Sequence, residues 1–134
     1  LTISGKGEMP KKMTFKNNKK VKKVVIKNGV TSVSDKAFYK CKNLSKVTIG
    51  KSVKKIGIDS FNGTKIKKVT VPKKVKEIGQ DAFNNCKQLE NITLPGKYRL
   101  KKKEGDDAND TIMYGSTPDT VTFSTSIDLK TVTM

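Results

Sequence analysis

The chain aligns with itself. Val24, Val47, Val69 and Ile92 are spaced by 23, 22 and 23 residues, and Phe38, Phe61 and Phe83 by 23 and 22. The aligned segments are VVIKNGVTSVSDKAFYKCKNLSK from Val24, VTIGKSVKKIGIDSFNGTKIKK from Val47 and VTVPKKVKEIGQDAFNNCKQLEN from Val69, with Ile92-Thr93-Leu94-Pro95 opening a fourth. A sequence that repeats at this period folds as stacked copies of one supersecondary unit. Each copy buries its apolar side against its neighbours, so the hydrophobic content of 34%, low for a single central core, is enough. The 134 residues fit one domain.

Each column of the repeat has a physical reading. Val47 and Ile49 flank Thr48, the period-2 signature of a short strand with one buried face. Val53 and Ile56 point inward on the next leg. Gly57 and Gly79 follow, where glycine permits a sharp corner, and Ser34 stands there in the first repeat. Next come a small residue and a phenylalanine: Ala37-Phe38, Ser60-Phe61 and Ala82-Phe83. Asp59 and Asp81 are placed to cap a single helical turn. The phenylalanines fill the centre of the coil, and Leu44, Ile66 and Leu89 close it. The second repeat is one residue short in the turn, with NGTKI where its neighbours have YKCKNL and NNCKQL, and Thr64 falls near the cysteine column. A loop absorbs such a deletion while strand register is kept.

The segments LSKVTIGKSVKKIGIDSF (44–61) and IKKVTVPKKVKEIGQDAFNNCKQLENITLP (66–95) resemble the BspA-type, or TpLRR-type, leucine-rich repeat, whose pattern runs roughly LxxVxIPxxVxxIGxxAFxxC. The opening LTISGKGEMP (1–10) resembles the capping strand that precedes such repeats. The resemblance covers about 1–95; beyond it only Leu129, Val132 and Met134 echo the LxxVxI spacing. It implies a leucine-rich-repeat solenoid, a right-handed parallel β coil with short helical turns. Residues 1–23 form the N-terminal cap, 24–95 three full repeats and a partial fourth, and 96–134 an irregular acidic C-terminal cap. Caps are needed because a terminal coil otherwise exposes its core. The resemblance also implies a secreted or cell-surface location and, for some relatives, adhesion. It brings no catalytic residues with it, and fold alone does not confer function.

The formal charge of +17 is unevenly placed. Residues 1–103 hold 28 of the 29 basic residues and six of the twelve acids, a formal +22, against −5 for 104–134. A basic body of this kind suits polyanions: glycosaminoglycan, cell-wall polymer, nucleic acid or an anionic surface. Arg99 is the one arginine, which weighs against specific base reading or forked phosphate grips. The absence of histidine removes the commonest general base and imidazole metal ligands, so an enzyme is not expected. No apolar run is long enough to span a membrane. The chain opens at Leu1 with neither Met nor signal peptide, as a mature or cut fragment would.

Candidate sites are few. Cys41 and Cys86 occupy one column two repeats apart, roughly 10 Å at strand spacing. That exceeds the approximate 7 Å Cα limit for a bridge, so both are expected to be reduced and buried. GDDANDT (105–111) lacks the glycine and distal glutamate of a calcium loop and reads as solvated. The outward strand columns are more informative: Lys23, Lys46, Lys68 and Asn91, beside Val25, Thr48, Thr70 and Thr93. Stacked lysines about 5 Å apart repel by roughly 1 kcal/mol in water, which an extended anion relieves. The competing reading is that lysine guards an exposed sheet against aggregation. The candidate binding face is therefore Lys23, Lys46, Lys68, Thr48, Thr70 and Thr93. No cofactor, metal or small-molecule substrate is implied. The expected function is a non-catalytic extracellular binding or adhesion module for a protein or polyanionic surface ligand; the alternatives are purely electrostatic attachment to a polyanion, or a structural spacer.

Overall fold

The computed structural model describes residues 1–103, together with the backbone of two further strands at Thr111–Tyr114 and Thr131–Thr133. The GDDANDT segment up to residue 110, Leu129 and Met134 lie outside the described residues.

The chain winds as a parallel β-solenoid, and each coil contributes two short strands. The first leg carries β1 (Thr2–Ile3), β3 (Lys23–Ile26), β5 (Lys46–Ile49), β7 (Lys68–Thr70) and β9 (Asn91–Thr93). The second leg carries β2 (Gly7–Glu8), β4 (Val30–Val33), β6 (Lys55–Ile56), β8 (Glu77–Gly79) and β10 (Lys97–Lys101). These second-leg strands form one continuous ladder, closed by antiparallel β11 (Thr111–Tyr114). Ser32, Lys55, Glu77 and Arg99 follow one another in register across it, and so do Val33, Ile56, Ile78 and Leu100.

The first leg does not form a single sheet. It divides into β1-β3-β5 and β7-β9-β12 (Thr131–Thr133), with no ladder bonds between β5 and β7. The short second repeat explains the division. Nothing stands between Lys65 and Ile66 where the neighbouring coils have Asn43 and Gln88. In those coils the Ser45 and Glu90 amides donate to the carbonyls of Lys22 and Lys67 and so enter the ladder. In the short coil the Lys65 amide instead donates to Leu44 O at 2.8 Å, and β7 forms no ladder with β5. The deletion thus keeps the columns but not the ladder. Val47 registers the opening: Val24 and Val69 are buried, whereas Val47 is only half-buried.

The core runs down the centre of the stack. Phe38, Phe61, Phe83, Leu44, Ile66 and Leu89 are buried, as the columns require. The phenylalanine rings stack nearly parallel, with centroids 5.4 and 5.5 Å apart. Phe15 extends the stack downward at 5.6 Å, so the N-terminal cap is itself a coil of the repeat. At the other end Tyr98 and Leu100 are buried on β10, and Val132 pairs with Ile92, so the solenoid runs past residue 95.

Two local expectations are corrected. Among the described residues the turns before the phenylalanines do not form helix. Lys36, Asp59 and Asp81 hold left-handed backbone, φ 55°, 55° and 59°, a region aspartate tolerates better than most side chains. Gly57 and Gly79, by contrast, are not in positive φ. A Cβ at Gly57 would lie 2.5 Å from the Asp35 amide nitrogen, and one at Gly79 would meet the backbone of Gly57 and Ile58. Each glycine is there because the coil below passes beneath it. Ser34 is tolerated because the coil under it leaves its hydroxyl room to donate to Met13 O at 2.8 Å.

Candidate binding surface

Strand alternation places the candidate residues outward. Lys23, Lys46, Lys68, Thr48 and Thr70 are exposed, and Thr93 is half-exposed. Lys23 and Lys46 are register partners, as are Val25 and Thr48, and Thr70 and Thr93. Lys68 pairs with Asn91, on the far side of the interrupted ladder from Lys46. The stripe is therefore two short segments rather than one row.

Over the interruption lies a cleft of about 640 Å³. Val47, Val69 and Pro72 form its apolar part, and Lys51, Lys68, Lys73 and Lys74 rim it. Around the Pro72–Val75 corner a second cleft, of about 770 Å³, opens over the second-leg ladder. Its cationic side chains include Lys54, Lys55, Lys76 and Arg99, and Lys73 lines both clefts. The sequence columns did not find this second group. The signal was present in the doublets KK at 54–55 and 73–74 and in the 22-residue interval from Glu77 to Arg99.

Charge on the opposite side of the coil is treated differently. Asp59 is buried, and its carboxylate accepts from Asn62 Nδ2 at 2.8 Å. Lys103 Nζ reaches Asp59 at 3.1 Å and Asp81 at 2.8 Å, spanning two coils. Burial pulls the Lys103 ammonium down, but hydrogen bonds to Asp81 and Asp59 more than offset this and leave it raised. Tyr39 carries two more cations, with Lys36 and Lys40 Nζ at 5.7 and 5.3 Å from its ring centroid.

Both cysteines are free and buried. Burial raises the Cys41 thiol and pushes Cys86 up to about 11. Their thiols donate to the carbonyls of Phe15 and Phe61, each at 3.1 Å, and Thr64 contacts Cys86 Sγ at 3.3 Å. A thiol held protonated is a poor nucleophile and metal ligand, and what the structure shows of this column is packing. Among the described residues no cluster of three or more histidine, cysteine or acidic side chains could hold a metal. No helix among them is long and apolar enough to cross a membrane.

A model of the BspA type leucine rich repeat region matches residues 10–104 in six copies, more than the three and a part read from the columns. A leucine rich cell surface protein from Faecalibacterium prausnitzii A2-165 is 30% identical, with a TM-score of 0.54 over 72% of this chain. The match spans only 27% of that protein's solved chain. A leucine-rich repeat protein from Bacteroides ovatus ATCC 8483 is 20% identical over 75% of this chain and 41% of its own, with a TM-score of 0.39. Among curated proteins none matches.

Proposed function

The chain belongs to the BspA-type leucine-rich repeat family, and from that premise we propose that it is a non-catalytic binding module of a bacterial cell-surface protein, holding an anionic partner largely through charge. The observation that carries this reading is the formal +22 spread over residues 1–103. Lys23, Lys46, Lys68, Lys73 and Lys74 are exposed and make no ion pair among the described residues. A polyanion carries a condensed counterion atmosphere, and cations left without partners release it when they neutralise the polymer's charges, which favours binding. The family is generally a repeat scaffold without catalysis, and the likeness to a cell-surface protein supports the location.

The test is retention of the chain on polyglutamate, polyphosphate and dextran sulfate as salt rises. Binding that falls linearly in log–log terms with salt supports the charge reading. A protein ligand held undiminished through moderate salt would point instead to a conventional adhesin. Failure to bind any of the three polymers at low salt sinks the charge reading.

A further inference from the structure

We propose that the two clefts on either side of the Pro72–Val75 corner form one track for a sulfated polysaccharide, with Lys73 at its centre. This deepens the charge reading above and rests on it. Three observations locate the track. The clefts hold about 640 and 770 Å³, and both are lined by Lys73. Lys51, Lys54, Lys55, Lys74, Lys76 and Arg99 are exposed around them, and none is ion-paired among the described residues. Among the described residues Glu77 is the one acid lining either cleft. Coil stacking concentrates these charges. The Lys76 amide donates to Lys54 O at 2.9 Å and the Arg99 amide to Lys76 O at 2.7 Å, which seats their side chains on successive rungs.

The lining chooses among polyanions. Among the described residues no exposed aromatic ring borders either cleft, since Tyr98 is only 1% exposed, so the described lining offers nucleic-acid bases nothing to stack on. A polyphosphate could use the lysines but has no carbon to place against Val47, Val69 and Pro72. A sulfated sugar uses all three kinds of lining. Its sulfates meet compact ammonium charges, its hydroxyls meet the exposed Thr48 and Thr70, and its C–H faces lie on the apolar part of the cleft. The track takes Lys68 and the two threonines from the strand face but leaves Lys23 and Lys46 outside.

The experiment compares two triple variants of equal charge by titration with heparin: Lys73→Gln/Lys74→Gln/Lys76→Gln, and Lys42→Gln/Lys65→Gln/Lys87→Gln on the far side. All six lysines are exposed, so both variants should keep the fold; circular dichroism checks this. The corner triple should weaken heparin binding about tenfold or more and lower the salt slope by two to three, roughly one per lost contact. The far-side triple should change affinity by less than about threefold, an effect of long-range charge alone. Equal losses from the two triples would overturn the track while leaving the charge reading intact. Polyphosphate displacing heparin at equal charge concentration would overturn the choice of sugar. An unaltered chain that ignores heparin yet binds polyglutamate would do the same, whereas one that binds no polyanion removes the charge reading itself.

Discussion

The two legs of this solenoid are built from the same coils, yet one ladder runs unbroken from β2 to β11 and the other is cut between β5 and β7. The missing residue lies in the turn just ahead of β7, on the path into the first leg. By the second leg the chain has recovered, because Val53, Ile56, Val75 and Ile78 are all buried and Gly57 and Gly79 press coil against coil. Close backbone packing at a corner therefore resets register that a loop has disturbed. A loop tolerates a deletion in the sense that the fold survives, but hydrogen bonds next to it are lost. The split also makes half-exposed Val47 part of a cleft floor, so the deletion helps to shape the surface.

The contrast can be broken at three places, in decreasing order of effect. Phe61 lies in the central stack that both legs share, between Phe38 and Phe83. Phe61→Ala should cost about 3–5 kcal/mol, because the stack cannot close over the lost ring. Urea denaturation checks it, and an unchanged midpoint would contradict the shared core.

Gly79→Ala addresses the second leg alone. A methyl group there meets the backbone of Ile58 and Gly57 rather than a movable side chain, so a loss of about 1–3 kcal/mol is expected. Hydrogen exchange should quicken at Glu77–Gly79 and Lys97–Lys101 while β1, β3 and β5 stay protected. Uniform acceleration would mean that the two legs are not separable.

The smallest effect should come from repair. One asparagine inserted between Lys65 and Ile66 restores the length of the neighbouring repeats. If turn length causes the split, the amides of Lys68–Thr70 should gain protection, with a stability gain of about 1 kcal/mol per bond formed. Protection that stays low would place the cause in the side chains of β5 and β7.

Much of this was legible in the sequence, and the divide is physical. Buried columns are written in side chains, so Val24, Phe38, Ile56 and Leu89 declared their places by spacing. Two columns run beyond the clear repeats, since Phe15 stands 23 residues before Phe38 and Leu100 stands 22 after Ile78. The outward placement of Lys23, Lys46 and Thr48 followed from alternation, but the split of the stripe did not. Ladder bonds depend on where a turn delivers the backbone, and composition does not record that path. Gly79 shows the same limit in another form. The letter announces that a side chain is forbidden there, while only the neighbouring coil reveals that the reason is contact rather than dihedral angle.

Lys103 has a consequence for how such an array comes apart. A stack with only nearest-neighbour interfaces unravels from its end one unit at a time, each step costing a single interface. Lys103 reaches past Asp81 to Asp59 and also donates its amide to Gln80 Oε1 at 2.7 Å. It thereby adds a next-nearest-neighbour coupling that a one-dimensional zipper lacks. The coil that carries Lys103 cannot separate from the stack without releasing two acids that belong to two different coils. Opening at this coil becomes a two-unit event, and the stack there gains cooperativity beyond a single interface.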